Sequence, residues 1–468
     1  MIRAIFKREL VRQWRSRTLR ILLPLSLVLV AAVAGVHWHQ QKAFFATQSH
    51  WQGVNDELWR TQPDRHPHRV THYGSLAFRF NSPLSFLDAG VNPYVGNVLF
   101  LESHRQNSSG LRQFTVSARE LGLGYLSVAT LVLVLWPLVL IALAHGSVSD
   151  ERGNGNFNLL LSLGVKPVQF LVGQGLVFLF LSAIYLAFLA MMAGAFVLAS
   201  PAAADTDVWL RLALSLLAYL GYWLVWIAAI LLVSYHCRSS SRSLLFALGL
   251  WLLWVVVIPR ALTTVTEAVY PAPSRAVFDI QVENAIARIG DSHDPNDPYF
   301  NDFRESVLAR YGVERVEDLP VNWRGVVMQE GERIGTVVFD EHYRRLTGIY
   351  RRQDRLYDWL SVTSPYALMA RLSFTITGND AESYYDFERQ AEAYRFDLIT
   401  RLNDLQTRKL DYETDGQTRL SSSHWEAFAP FEHRRQTLSV PPQRLALLAV
   451  AVLLWTVVAV VGFRRRAS

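Results

Sequence analysis

The feature that most restricts this chain is the spacing of its charges. Six stretches run without Asp, Glu, Lys or Arg for long enough to matter in a bilayer. They are Ile21 to Val36, extended by His37 and Trp38; an apolar run of Tyr125 to Ala144 between Glu120 and Asp150; the interval from Lys166 to Asp205; that from Arg211 to Arg238; Ser243 to Pro259; and Leu445 to Phe463. A helix needs about 20 apolar residues to cross the hydrocarbon core, so each predicts a membrane span. Composition agrees: 18% of the residues are charged, against about 25% in ordinary soluble domains. Disordered, collagen-like and disulfide-scaffold chains are excluded, and the lone Cys237 excludes an intrachain disulfide and a multi-Cys metal cluster. Seven basic residues precede the first run and no small-x-small cleavage site follows it, so it reads as a retained helix rather than a signal peptide.

Orientation follows from where the basic residues sit. With the N-terminus inside, residues 1–20, 146–170, 236–242 and 464–468 carry 14 Lys/Arg and three acids, Glu9, Asp150 and Glu151. Short basic segments stay in the cytoplasm. Arg464, Arg465 and Arg466 close the chain on the side where Arg12, Arg15, Arg17 and Arg20 open it, which predicts six spans with both termini inside. The net charge of +6 is then a signature of topology, not of nucleic-acid binding.

The expected organisation is therefore an α-helical integral membrane protein with an interfacial amphipathic helix at 1–20 and spans at 21–38, 122–145, 171–199, 208–235, 243–259 and 444–463. A cytoplasmic loop lies at 146–170 and a basic tail at 464–468. Two long polar segments, 39–121 and 260–443, are expected outside the membrane, the first mixed and the second mainly helical. In the N-terminal helix Ile2, Ile5, Phe6, Leu10 and Trp14 share one face against the arginines. The first polar segment opens as a helix to about Trp59, then turns irregular through Pro63, Pro67, Pro83 and Pro93, with short strands. In the second, Tyr384, Phe387, Ala391, Tyr394, Leu398, Leu402 and Leu405 form a helical stripe, with Asn379 and Glu382 spaced as a capping box. Phe278, Val282, Ile286 and Ile289 mark another helix, and Tyr343 to Leu360 a third.

Catalytic motifs are absent from the sequence. The pair Gly-Lys never occurs, so there is no phosphate-binding loop. No G-x-S-x-G elbow or H-E-x-x-H is present, and Gly122, Gly124, Gly153 and Gly155 are isolated glycines rather than a nucleotide fingerprint. The spans hold no acid relay of the kind a proton-coupled pump uses. His66, His68 and His72 are the candidates for a metal site, although spacing of i, i+2 and i+6 in a Pro-containing loop does not itself dictate convergence. Trp136, Trp223, Trp226, Trp251 and Trp254 are expected to face lipid or the interface rather than to line a pathway.

The informative short piece is Ser149-Asp150-Glu151-Arg152-Gly153-Asn154-Gly155-Asn156-Phe157-Asn158, followed by Leu159-Leu160-Leu161-Ser162-Leu163-Gly164-Val165-Lys166-Pro167. It reads as an acidic turn, a glycine break, a short helix and a Gly/Pro stop. This piece resembles the loop of ABC-2-type permeases, the membrane subunits of type V ABC transporters. Glu151 matches the acid, Gly155-Asn156-Phe157 the Gly-Thr-Leu-like triplet, and Leu159 to Ser162 the Leu run. Gln174 stands where that family often has lysine. Ser82-Pro83-Leu84-Ser85, Asp88-Ala89-Gly90 and Pro93, with Ser364-Pro365, Thr377-Gly378-Asn379-Asp380 and Tyr385-Asp386-Phe387, are similar to a bacterial subgroup with two large extracytoplasmic insertions.

The resemblance implies a permease in the bacterial cytoplasmic (inner) membrane, an exporter without ATPase activity or a bound cofactor of its own. Two copies of a separate ABC ATPase would bring ATP and Mg²⁺, and a second permease, identical or related, would complete the pathway. Asp150, Glu151, Gly155, Phe157, Leu160 and Lys166 are the expected coupling residues. Two other readings stay open: a mechanical or signalling component that moves its exterior domains and transports nothing, and a membrane enzyme using exterior His and Asp.

Overall fold

The computed structural model describes residues 1–106 and 126–450, with 445, 448 and 449 excepted. Residues 107–125, the sixth expected span beyond residue 450 and the basic tail lie outside the described residues. The chain is predominantly helical, and five helices are long and apolar enough to cross a membrane: α2 (Arg17–Arg60), α4 (Val128–Gly153), α6 (Pro167–Leu198), α7 (Thr206–His236) and α8 (Ser240–Val269). Before them comes α1 (Ile2–Arg15), which stops at Ser16 instead of running on to Arg20. Ser16 adopts an extended backbone and its hydroxyl accepts the Leu19 N–H at 3.1 Å, so the break is also the N-cap of α2. The covered face of α1 is rotated from the expected one: Ile5, Glu9 and Gln13 are buried while Trp14 is 60% exposed. Gly173 on α6 permits this docking, because a Cβ there would lie 2.7 Å from the Ile5 side chain. Gln13 donates to the Leu143 carbonyl at 3.2 Å, and Phe6 meets Phe180 edge-on.

The bundle core corrects the expectation for the tryptophans. Trp136, Trp223, Trp226 and Trp254 are buried, and Trp136 stacks on Tyr185 at 4.2 Å. Between apolar helices in lipid, packing and interhelical hydrogen bonds replace the hydrophobic driving force. Both are concentrated at a π-helical turn in α4, Leu131–Leu135. A π turn disturbs the regular backbone ladder, and its carbonyls find side-chain donors on neighbouring helices. Trp223 donates to Val132 O at 3.0 Å, the Tyr222 hydroxyl to Leu133 O at 2.7 Å and Trp251 to Val134 O at 3.1 Å. A second π turn, Leu252–Val257 in α8, has its Trp254 carbonyl bonded by the Ser364 hydroxyl at 2.5 Å.

The two polar segments fold together. The first supplies α3 (Pro67–Tyr73) and strands β1 (Ser75–Phe78) and β2 (Val98–Leu101), paired antiparallel with Ser75 opposite Leu101 and Phe78 opposite Val98. The second supplies α9 (Arg275–Ala287), α10 (Pro298–Tyr311), α11 (Trp323–Leu360), α12 (Pro365–Thr377), α13 (Ala381–Lys409) and the short α14 (Ser423–Glu426). Ala77, Leu99 and Leu101 share one core with Phe278, Phe339, Tyr343, Tyr384 and Phe387. Trp59 at the far end of α2 donates to Trp425 O at 3.0 Å. The helix α13 is capped by Asp380, whose carboxylate accepts the Ser383 N–H at 3.0 Å, not by Asn379.

One element of the second segment leaves that core. All but one of the thirteen residues of α12 are buried, and Tyr366, Met369, Ala370, Leu372 and Ile376 belong to the core of the apolar helices. It lies against α7, where the Tyr219 hydroxyl meets Ser373 Oγ at 3.0 Å and Arg211 donates to Ile376 O at 3.0 Å.

Candidate functional site

The link between α4 and α6 is a rigid double turn. Ser149–Gly153 completes α4 as a last helical turn. Gly155 then takes the left-handed conformation (φ 77°) that a side chain resists, and reverses the chain into α5 (Asn156–Ser162). Gly164 (φ 82°) ends α5, and Pro167 occupies the first turn of α6, where its missing N–H costs nothing. The Ser234 and Ser243 hydroxyls both donate to His145 O at 2.6 Å, pinning the start of this elbow to α7 and α8.

The expected coupling residues divide by exposure. Glu151 is buried and forms an ion pair with Arg8 of α1, a partner that sequence reading did not identify. Phe157 is 3% exposed, edge-on to Phe170 at 5.3 Å and to Tyr235 at 6.2 Å. Arg152 lies over both Phe157 and Tyr235 and donates to Tyr235 O at 2.6 Å. Asp150 and Leu160 are half-buried, while Gly155 and Lys166 are exposed. The apolar groups that face outward are Leu159 and Leu163, 59% and 66% exposed. Three consecutive leucines hide this choice in the sequence; the helical phase set by buried Phe157 reveals it.

A second constellation joins motifs almost 300 residues apart. Asn379 sits inside the loop formed by Ser82 to Asn92: its amide donates to Asp88 O at 2.7 Å, and its Oδ1 accepts from Asn92 at 2.8 Å and Ser85 at 3.1 Å. Val91 N–H bonds Asn379 O at 2.8 Å. Gly90 (φ 52°) makes the approach possible, since a Cβ there would lie 2.1 Å from that carbonyl. Asp88 accepts from Ser373 on α12, and burial pushes its carboxyl up to about 6. The clasp therefore ties the first polar segment, α12 and α7 into one polar chain.

The histidines separate. His66 caps α3 and contacts Asp415 at 3.2 Å. His68 and His72 instead converge with His104, their ligand nitrogens all within 4.8 Å of one another. Burial, followed by repulsion from the neighbouring imidazoles, lowers the His68 pKa to about 4, so it is neutral at physiological pH. His104 was not identifiable from the sequence, being 32 residues from His72 and brought in by the β1–β2 pairing.

Residues 275–434 match the model of a domain of unknown function, DUF3526. That stretch covers α9 to α14, including the clasp residue Asn379. No curated protein matches the chain.

Proposed function

We propose that the chain is the membrane-spanning permease subunit of an ABC transporter, an exporter driven by a separate ATPase. The elbow between α4 and α6 carries this reading: a short helix held between two spans, anchored inward by Phe157 and through Glu151 to α1, and presenting Leu159 and Leu163 outward. Such a piece suits a docking surface that passes a partner's movement to the spans without absorbing it. The ATPase binds two conformations of the permease with different affinity, as any ligand-driven switch requires. A mainly apolar cleft of about 710 Å³ lined by Trp38, Phe45, Phe196 and Pro201, with Lys42 and Arg435 also in its wall, suits an amphipathic cargo.

A second reading is favoured by α2. It continues without interruption from the first apolar run into the polar region, where Gln48 donates to Arg79 O at 3.1 Å and Trp59 reaches Trp425. An ATPase that moved α1 would move this strut, and the polar region with it, even if nothing crossed the bilayer.

The test of docking is the paired variant Leu159→Asp with Leu163→Asp. It is expected to insert and fold as the native chain does, and to lose ATPase capture and ATPase stimulation in the reconstituted complex. Undiminished stimulation would contradict the assignment of this surface.

A further inference from the structure

We propose that His68, His72 and His104 form a binding site for a divalent transition metal, best suited to zinc. The inference is independent of the transport reading and rests on four features of the cluster.

The first is how the ligands are presented. His68 and His72 sit one helical turn apart on α3 and project to one side, with their Nε2 atoms 3.1 Å apart. Two imidazoles on a tetrahedral zinc, each at about 2.0–2.1 Å, hold their nitrogens about 3.3 Å apart. The pair therefore needs almost no movement to chelate.

The second is that the outer nitrogens are already taken. His72 Nδ1 lies 3.3 Å from Ser103 Oγ, which itself accepts from Thr71 Oγ1 at 3.1 Å. His104 Nδ1 lies 3.1 Å from the Glu332 carboxylate. The Glu332 carboxylate accepts at His104 Nδ1 and so favours a lone pair on Nε2, the arrangement in which a carboxylate behind a histidine strengthens it as a ligand, and Ser103 Oγ is placed to accept from His72 Nδ1 in the same way.

The third is the position of Glu332. Its side chain is 1% exposed, and its second oxygen is 3.1 Å from Arg395, itself fully buried. The Glu332 oxygen that meets the His104 ring also accepts the His104 backbone N–H at 2.5 Å. A buried, charge-balanced carboxylate thus clamps an otherwise exposed imidazole at two points.

The fourth is the backbone of His104. Among the described residues it is the only non-glycine with positive φ, at 61°. A left-handed residue costs about 1 kcal/mol or more and persists where the surroundings enforce it. His104 takes it in the tight turn between the bridged Glu102 and Arg105, and that turn sets its ring centre 5.5 Å from that of His68 and 5.3 Å from that of His72.

Three imidazoles without a thiolate or a carboxylate ligand favour zinc, copper or nickel over the oxygen-seeking magnesium and calcium. The cluster faces solvent, which leaves a fourth position for water or for a donor on a bound molecule. His293, whose ring centre is 5.6 Å from that of His104, is the nearest further imidazole among the described residues.

The experiment uses the full-length protein in detergent, stripped with a chelator and titrated with zinc alone against a chromophoric competitor. Native protein is expected to take up one zinc per chain, and His72→Gln and His104→Gln to weaken binding by about tenfold or more. Glu332→Gln, which weakens the group behind His104 while Arg395 keeps its ion pair with Glu392, is expected to cost about 10-fold or more. His66→Gln and His424→Gln are expected to bind as native. Because His72 is exposed, His72→Gln should fold normally. A zinc-dependent rise in the unfolding midpoint, present in the native protein and absent in His72→Gln, checks occupancy without the competitor. Native protein that binds no more zinc than His72→Gln would overturn the proposal. So would His66→Gln weakening zinc as much as His104→Gln does.

Discussion

At the scale of single residues, burial changes what a side chain can be used for. Phe157, one of the expected coupling residues, packs among Phe170, Tyr235 and Arg152. Truncating it to alanine would cost about 3–5 kcal/mol of local packing, which makes it a poor probe of docking. The exposed Leu159 and Leu163 are the sharper probes. Glu388 gives a second case. It is buried, accepts from the Tyr343 hydroxyl at 2.5 Å and the Tyr384 hydroxyl at 3.0 Å, and burial pushes its carboxyl up to about 7 despite Arg275 and Arg79 nearby. The folded state therefore holds this proton more tightly than the unfolded state. Its contribution is full below the unfolded pKa of 4.5 and is lost as pH rises to about 7. Glu388→Gln removes the ionisation and is expected to stabilise the protein at pH 8, on the order of 2 kcal/mol, with no gain at pH 4. Thermal unfolding of both proteins across that range checks this. A difference that did not change with pH would contradict it. None of this was legible in the sequence, where Glu388 is one more polar position on an amphipathic helix.

Among elements, legibility depended on whether the signal was local. Gly155, Gly164 and Pro167 set the elbow by their own backbone preferences, so its acidic turn, break, short helix and stop could be read directly. The apolar helices α4, α6 and α7 are legible as charge-free runs. The continuity of α2 did not, because hydropathy drops after Trp38 while the helical backbone carries on. Its two halves read as a span and a separate helix ending near Trp59, whereas one helix of 44 residues joins them, about 66 Å long. Ala46 is exposed in the middle of the polar half. Ala46→Pro is expected to cost about 3 kcal/mol of helix continuity while leaving the elbow intact. If the strut carries motion, this variant keeps ATPase capture but loses any ATP-dependent change in protease protection of the polar region. A variant that retained that change would show that α2 does not transmit it.

For the molecule as a whole, charge placement and apolar runs foretold a helical chain with several membrane-length helices, and five such helices are present among the described residues. What the sequence could not show is the meeting of distant parts. The short apolar α12 lies within a long polar segment, too short to register as a span, yet it is buried among the apolar helices. Asn379 looked like a helix cap, but its amide is spent on a loop almost 300 residues away. His104 joins His68 and His72 only through strand pairing. Such contacts have no local signature, because each side chain is ordinary in its own segment. On the proposed reading, this chain takes its energy from a separate ATPase docked at the elbow. Affinity purification of the full-length chain from its native membrane in mild detergent is the decisive measurement. The expected result is a stoichiometric partner that carries a phosphate-binding loop, with two ATPase copies for each pair of permeases. Recovery of the chain alone, or only with partners lacking such a loop, would contradict it.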